Sequence, residues 1–209
     1  LHKAIRRQRQ MCIRDRYYGL IKFLGGWAVR LFNPVKIYGA KKFENKKSIF
    51  VMNHVSNMDS VVFAAYFKNE FRFVYKAEFD KKPFLRHIFH NMRLIPVKRG
   101  EVDLKATKEC LSALKQNEIL FIFPEGTRNK ESDEMLPFKT GPAMFALKTK
   151  TPIRPFYIQK AKKGKKRYII VGEEFELSDF YEGGLNKENL EAATEFIRVK
   201  VTELKEKLN

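Results

Sequence analysis

Cysteine is scarce: Cys12 and Cys110 are the only two. Neither sits in a CxxC pair or beside a histidine cluster, so the pattern supports neither a zinc site nor a disulfide framework. Two free thiols in a reducing compartment are expected. Negative charge is also short, with 24 Asp+Glu against 42 Lys+Arg and a formal net charge of +18. Such an imbalance predicts a polyanionic partner, either nucleic acid or an anionic membrane surface, and charge alone does not choose between them. No zinc-finger, RRM or Walker A pattern occurs, which leaves a nucleic-acid reading resting on charge only. There is no GxSxG nucleophile elbow and no internal repeat. The first sixteen residues are strongly basic and lack the apolar run of a secretory signal.

At 209 residues the chain suits one domain with its own core. Residues 1–16 have no hydrophobic period and read as a non-native or disordered basic leader. Residues 17–33 are mostly apolar but carry Lys22 and Arg30, and they fall short of the roughly 20 apolar residues of a spanning helix. Trp27 and the two tyrosines, Tyr17 and Tyr18, suit a water–lipid boundary. An interfacial helix is expected here, lying on a bilayer. Residues 34–209 form the remaining domain.

Within that domain, short apolar runs alternate with helical patterns. SIFVM (Ser48–Met52), FRFVY (Phe71–Tyr75), RLIPV (Arg93–Val97), ILFIF (Ile119–Phe123) and Ile153–Ile158 read as strands. Met58–Phe67, Pro83–Asn91, Asp103–Gln116 and Pro142–Lys150 read as the helices between them, with Asp103 as a cap. Tyr168–Leu177 adds one or two strands, and Asn186–Leu208 is a closing helix capped by Asn186. The expected fold is α/β: a single layered domain with a mixed, largely parallel sheet flanked by helices, plus the N-terminal interfacial helix. The basic run KAKKGKKR (Lys160–Arg167) is expected to be a solvated turn able to touch anionic lipid.

Four constellations carry chemistry. Asn53-His54-Val55-Ser56-Asn57-Met58-Asp59 follows a strand, where α/β sheets bind ligands. A tight turn there lets the Asp59 carboxylate fold back onto the His54 ring, fixing its tautomer and freeing the other nitrogen as a general base. Phe123-Pro124-Glu125-Gly126-Thr127-Arg128 also ends a strand. Its Gly126 permits close backbone approach, Arg128 offers a fork of donors for phosphate oxygens, and Glu125 can orient a hydroxyl or the arginine. Val97-Lys98-Arg99-Gly100 places Arg99 near the same rim, and Thr151-Pro152-Ile153-Arg154-Pro155 is expected to shape the site wall. His87 and His90 have no carboxylate at useful spacing and are expected to be structural. A serine hydrolase using Ser56 with His54 is the weaker alternative, since Ser56 suits a turn-stabilising hydroxyl.

The NHxSxxD, VKRG, FPEGTR and TPIRPFYI segments, in this order and spacing, resemble the motifs of the glycerolipid acyltransferases, the nearest match being the 1-acyl-sn-glycerol-3-phosphate acyltransferases. FKTG at Phe138–Gly141 agrees, while Arg154 stands where an aliphatic residue is commoner in that family. The resemblance implies that His54, steered by Asp59, deprotonates the free hydroxyl of a lysophospholipid, which then attacks the thioester of acyl-CoA or acyl-carrier protein. It implies that Arg99, Glu125, Gly126, Thr127 and Arg128 hold the acceptor's glycerol phosphate. No metal or organic cofactor is expected, the partners are the lysophospholipid, the acyl carrier and an anionic membrane surface rather than nucleic acid, and the location is the cytoplasmic face of a membrane. Acylation of glycerol-3-phosphate or another lysolipid is the nearer alternative.

Overall fold

The computed structural model describes residues 18–98, 100, 103–129, 134–160 and 167–207. The leader 1–16, Tyr17, Arg99 and positions 161–166 of the basic run, for which expectations were stated above, lie outside the described residues. A helix over 18–32, α1, leads into β1 (Val35–Tyr38). Then follow β2 (Ser48–Met52), α2 (Asp59–Tyr66), β3 (Phe71–Lys76), a 3-10 turn (Ala77–Lys81), α3 (Pro83–Asn91) and β4 (Ile95–Val97). The chain continues through α4 (Leu104–Lys115), β5 (Ile119–Ile122), α5 (Gly141–Thr149), β6 (Ile153–Ile158), β7 (Arg167–Val171) and α6 (Lys187–Glu206).

The strands form one sheet in the order β1-β7-β6-β2-β5-β3-β4. β6, β2, β5, β3 and β4 are parallel, as the helical crossovers require. β7 pairs antiparallel with β6, the one antiparallel pair of strands among the described residues, and β1 runs parallel to β7. β7 therefore begins at the rim where β2, β5 and β6 end. Of the one or two strands expected within Tyr168–Leu177, one forms, β7, and Phe175 adds a single antiparallel bridge to Ile153.

Both faces of the sheet are covered, so β2 is buried at every position. Its alternation divides two cores. Ile49 and Val51 meet the small and aliphatic side chains of α4, α5 and α6, among them Cys110, Ala146 and Ile197. Phe50 and Met52 meet an aromatic core built around Phe63 of α2. Phe63 stands 4.5 Å from Phe121 of β5 and 4.9 Å from Phe156 of β6, ring centre to ring centre. It lies one helical turn after Asp59, so the aromatic core pegs the helix that carries this carboxylate. Two caps expected from sequence are present: Asp103 accepts from Ala106 N–H and Asn186 from Asn189 N–H.

The helix α1 packs with unusual polarity. Lys22 turns inward, donates to the Asn69 carbonyl at 2.8 Å and lies over the rings of Tyr18 and Phe71, and burial pushes its ammonium down to about 8. Arg30 donates to the Ala65 carbonyl. Tyr18, expected at a lipid boundary, is buried instead, its hydroxyl oxygen accepting from Phe71 N–H. The face turned away from the protein holds Leu20, Phe23, Leu24, Trp27, Leu31 and Phe32, with Phe23 and Phe32 both 78% exposed. No helix among the described residues is long and apolar enough to cross a membrane.

Candidate active site

Three parallel strands, β2, β5 and β6, end side by side, and the site is built on their ends. Asn53 closes β2 like a splice: its amide donates to the Ile158 carbonyl and accepts from Ile158 N–H, tying the ends of β2 and β6 at 3.0 and 2.7 Å. The next residue is His54. Its ring stacks on Phe123, just beyond β5, with centroids 4.0 Å apart. That contact holds the imidazole plane while 14% of the side chain stays accessible.

Asp59 folds back as the spacing predicts. Its Oδ2 accepts from His54 Nδ1–H at 3.0 Å and from the main-chain N–H groups of Val55 and Ser56 at 2.8 and 2.7 Å. The carboxylate thus organises the loop before its own helix and fixes the His54 tautomer. Nε2 is left with no partner among the described residues. Ser56 Oγ accepts from Met58 N–H, the turn-stabilising use expected of it.

The other oxygen of Asp59 meets a residue that sequence reasoning placed elsewhere. Arg167 was expected in a solvated turn. It is instead the first residue of β7 and is buried, donating from Nη2 to Asp59 Oδ1 at 2.6 Å and from Nε to the Gln159 carbonyl at 3.2 Å. The antiparallel return causes this, since it brings the start of β7, paired with the start of β1, to the rim where β2 ends. Burial would push the Asp59 carboxyl up. Hydrogen bonds from His54 and Arg167, with the nearby guanidinium charge, outweigh it and hold the group below the usual carboxylate range.

The second loop is laced to the first. Glu125 Oε1 accepts from His54 N–H at 2.8 Å, and Asn129 N–H donates to the His54 carbonyl at 2.8 Å. The peptide groups on both sides of the histidine are thereby held by the FPEGTR loop. The second oxygen of Glu125 accepts from Leu136 N–H at 3.3 Å. Glu125 was expected to grip the acceptor, but it points inward, is 3% exposed, and burial pushes its carboxyl above the ordinary value. Lys139 of the FKTG segment donates its N–H to the Pro124 carbonyl and closes the turn from below. Gly126 sits at φ +65°, a left-handed conformation suited to glycine. Gly126 and Thr127 face solvent, and the half-buried Arg128 has no hydrogen bond or ion pair among the described residues.

The remaining constellations divide. β4 ends level with β3, which puts Lys98 and Gly100 at the same rim, with Lys98 N–H donating to Asp103. Thr151–Arg154 does not shape the site wall. It lies at the amino ends of the strands, where Ile153 pairs with Ile49, and Arg154 is committed to Glu174 at 2.8 Å and the Gly172 carbonyl. His90 is linked to Asp80 at 3.5 Å and His87 faces Asn91, both on the exposed side of α3. A recess of about 440 Å³ also opens at the amino ends, between Tyr18, Arg72 and Glu118. It is remote from His54, so the chemistry of the donors, not the volume of a cavity, locates the site.

Known proteins resemble this chain in sequence and fold. A 1-acyl-sn-glycerol-3-phosphate acyltransferase of Helicobacter pylori is 34% identical over 120 residues, covering 56% of this chain and 50% of that one. A protein of the same name from Bacillus subtilis is 29% identical over 146 residues, 67% of this chain and 71% of its own. The chain spans about half the length of the first of these. The crystal structure of the 1-acyl-sn-glycerophosphate acyltransferase PlsC from Thermotoga maritima matches 96% of this chain and 82% of its own, with a TM-score of 0.68 at 24% identity, which shows a common fold. The family model described as Acyltransferase matches residues 34–159, more than half of the chain and the whole of the site described above except Arg167, and the chain belongs to that acyltransferase family.

Proposed function

We propose that the chain transfers a fatty acyl group from acyl-CoA or acyl-carrier protein to the free hydroxyl of 1-acyl-sn-glycerol-3-phosphate, giving phosphatidic acid. One observation carries this reading. His54 Nδ1 is bonded to Asp59 at 3.0 Å, Nε2 is unpartnered among the described residues, and the loop that bears Arg128 grips the main chain on both sides of the ring. The relatives named above carry the same activity in their names.

In the proposed reaction Nε2 takes the proton of the acceptor hydroxyl as its oxygen bonds to the thioester carbonyl carbon. The tetrahedral species collapses, the C–S bond breaks, and the proton on Nε2 passes to the departing thiolate. Asp59 stabilises the imidazolium between these steps, and Arg167 keeps Asp59 ionised although it is fully buried. A thioester is already activated, so neither a covalent acyl-enzyme nor a metal or organic cofactor is required. General-base help contributes on the order of 10²–10⁴ in rate, with positioning of the two substrates supplying much of the rest. Arg128, Thr127, the Gly126 backbone and Arg99 receive the acceptor's phosphate, while Glu125 fixes the two loops to each other.

The acceptor and product are lipids, and α1 offers an outward apolar face to the bilayer that holds them. The wider excess of Lys and Arg favours an anionic leaflet, each cation near it contributing about 1 kcal/mol. We place the enzyme on the cytoplasmic face of a membrane. The deciding assay offers lysophosphatidate and glycerol-3-phosphate side by side, in membranes, with each kind of thioester. Transfer to lysophosphatidate that disappears in His54→Ala is the expected result. Preferred acylation of glycerol-3-phosphate would reassign the acceptor, and transfer that survives in His54→Ala would overturn the mechanism.

A further inference from the structure

The exposed apolar surface is not spread evenly. On the face carrying α4 and α6, large apolar side chains are exposed singly, at Leu104, Leu185 and Val199 among the described residues. The other face carries α1, and a second exposed apolar feature accompanies it. Phe79 in the 3-10 turn is 42% exposed and Phe84, in the first turn of α3, is 74% exposed. α3 belongs to the α1 face, because its Phe89 packs 4.7 Å from Tyr75, which shares a side of β3 with the core rings of Phe71 and Phe73.

This turn follows β3, whose last residue is level with the last of β4 at the carboxyl rim. In sheet order, β2 with His54 lies between β1, which takes up the end of α1, and β3, which feeds the turn. Two strand spacings, roughly 10 Å, separate β2 from β3. Exposed phenylalanine thus stands on both sides of the site, Phe32 at the end of α1 and Phe79 and Phe84 beyond β3.

The local charge is suited to one kind of partner. Lys81, Lys82 and Arg86 flank the two rings, are exposed, and form no ion pair among the described residues. The acids in the same stretch are occupied: Glu78 by Lys76 at 3.0 Å, and Asp80 by the Tyr75 hydroxyl at 2.7 Å and by His90. Those bonds from Asp80 tie the turn to β3 and to α3, so the rings are presented on a braced support. Aromatic side chains flanked by exposed cations match the boundary between acyl chains and anionic headgroups. A second copy of this cationic chain would set like charges against each other.

We propose that the 77–86 segment is a second membrane contact, inserting Phe79 and Phe84 into an anionic leaflet so that, with α1, it straddles the His54 cleft and turns its mouth to the bilayer. The proposal rests on the membrane placement of α1 given above. Trp27 is the chain's single tryptophan and reports α1 alone. The Trp27→Phe, Phe84→Trp double variant reports the second contact alone. Each protein is mixed with phosphatidylcholine vesicles with and without phosphatidylglycerol, and with vesicles of brominated lipid.

Both tryptophans are expected to shift to the blue on anionic vesicles and to be quenched by bromine. Lys81→Gln with Lys82→Gln should weaken partitioning on the order of tenfold on anionic vesicles and little on neutral ones. A Trp27 that shifts while the tryptophan at 84 keeps its water-exposed emission overturns the second contact and leaves the α1 placement standing. A Trp27 that also stays unshifted overturns both. A shift at 84 that follows protein concentration without vesicles would assign the patch to self-association and overturn the proposal.

Discussion

In the loop 53–59 most polar groups, His54 Nε2 apart, are already engaged by protein partners, whereas the turn 126–128 stands largely open. Asn53 is spliced to Ile158, both oxygens of Asp59 are taken, and the main chain on each side of His54 is held by Glu125 and Asn129. Against this, Thr127 is exposed and Arg128 has no partner among the described residues. The first loop has the order that a proton-transfer group needs before substrate arrives, and it costs no rearrangement at the moment of reaction. The second has the open donors that an arriving phosphate would occupy. The difference separates a region expected to set turnover from one expected to set affinity.

The comparison breaks most visibly at His54. Replacing it with Ala should lower kcat by about 10³-fold or more, within the range of general-base catalysis, with an unchanged circular dichroism spectrum. Near-wild-type turnover would mean that the ordered loop is not the catalytic one. The next effect is at Arg167. Arg167→Met leaves the Asp59 charge buried without its cation and should cost about 3–5 kcal/mol in denaturant unfolding. It should also move the acid limb of the kcat/KM profile to higher pH. The groups facing that carboxylate are His54, Arg167 and, from the second loop, Glu125. Losing the guanidinium removes a charge that holds the Asp59 carboxyl down, so the carboxyl rises and the limb that depends on its ionisation moves upward. Arg167→Lys should restore part of it, whereas a limb that stays in place while activity falls would leave Arg167 only a structural part.

On the open side, Arg128→Ala should raise the acceptor KM by about tenfold to a hundredfold, the worth of one or two hydrogen bonds to a charged group, with kcat changed little. A raised KM for the acyl donor alone would move Arg128 out of the acceptor site. The pH dependence of stability sharpens the contrast further. The folded-state value of Asp59 is depressed, so its stabilisation is present above the unfolded value of about 3.9 and is lost as pH falls through the lower folded value. The Tm gap between the wild type and Asp59→Asn should hold from neutral pH down to about 4 and close below it. The smallest effect is expected of Gly126→Ala, which places a side chain at φ +65° and should cost about 1–2 kcal/mol.

Much of this site is legible in the sequence. The five-residue step from His54 to Asp59 is local, and a turn at a strand end allows few other outcomes. The alternation of strands and helices and the caps at Asp103 and Asn186 are local as well. The orientation of Glu125 was not, because a Glu beside an Arg at a loop tip looks the same whether it faces water or a neighbouring peptide N–H. Arg167 was misread for a related reason. Within KAKKGKKR it is one cation among many, and only the point at which β7 begins to pair distinguishes it. α1 shows the same limit at the level of a helix. Its periodicity tells which residues share a face, but α6 turns its Ile197, Val201 and Leu204 face to the core while α1 turns Phe23 and Trp27 away from it.

The amino-acid sequence by itself determined the layered α/β class, the strand ends that hold the motifs, and the pairing of His54 with Asp59. These follow from periodicities and turns that span a few residues, and the competing conformations are few. Tertiary structure alone decided which cation completes the pair, which way Glu125 points, and which face of α1 is left open. Each of those depends on the burial of a charge or an apolar surface against partners distant in sequence, 108 residues away for Asp59 and Arg167, and desolvation is settled only when the whole sheet has closed.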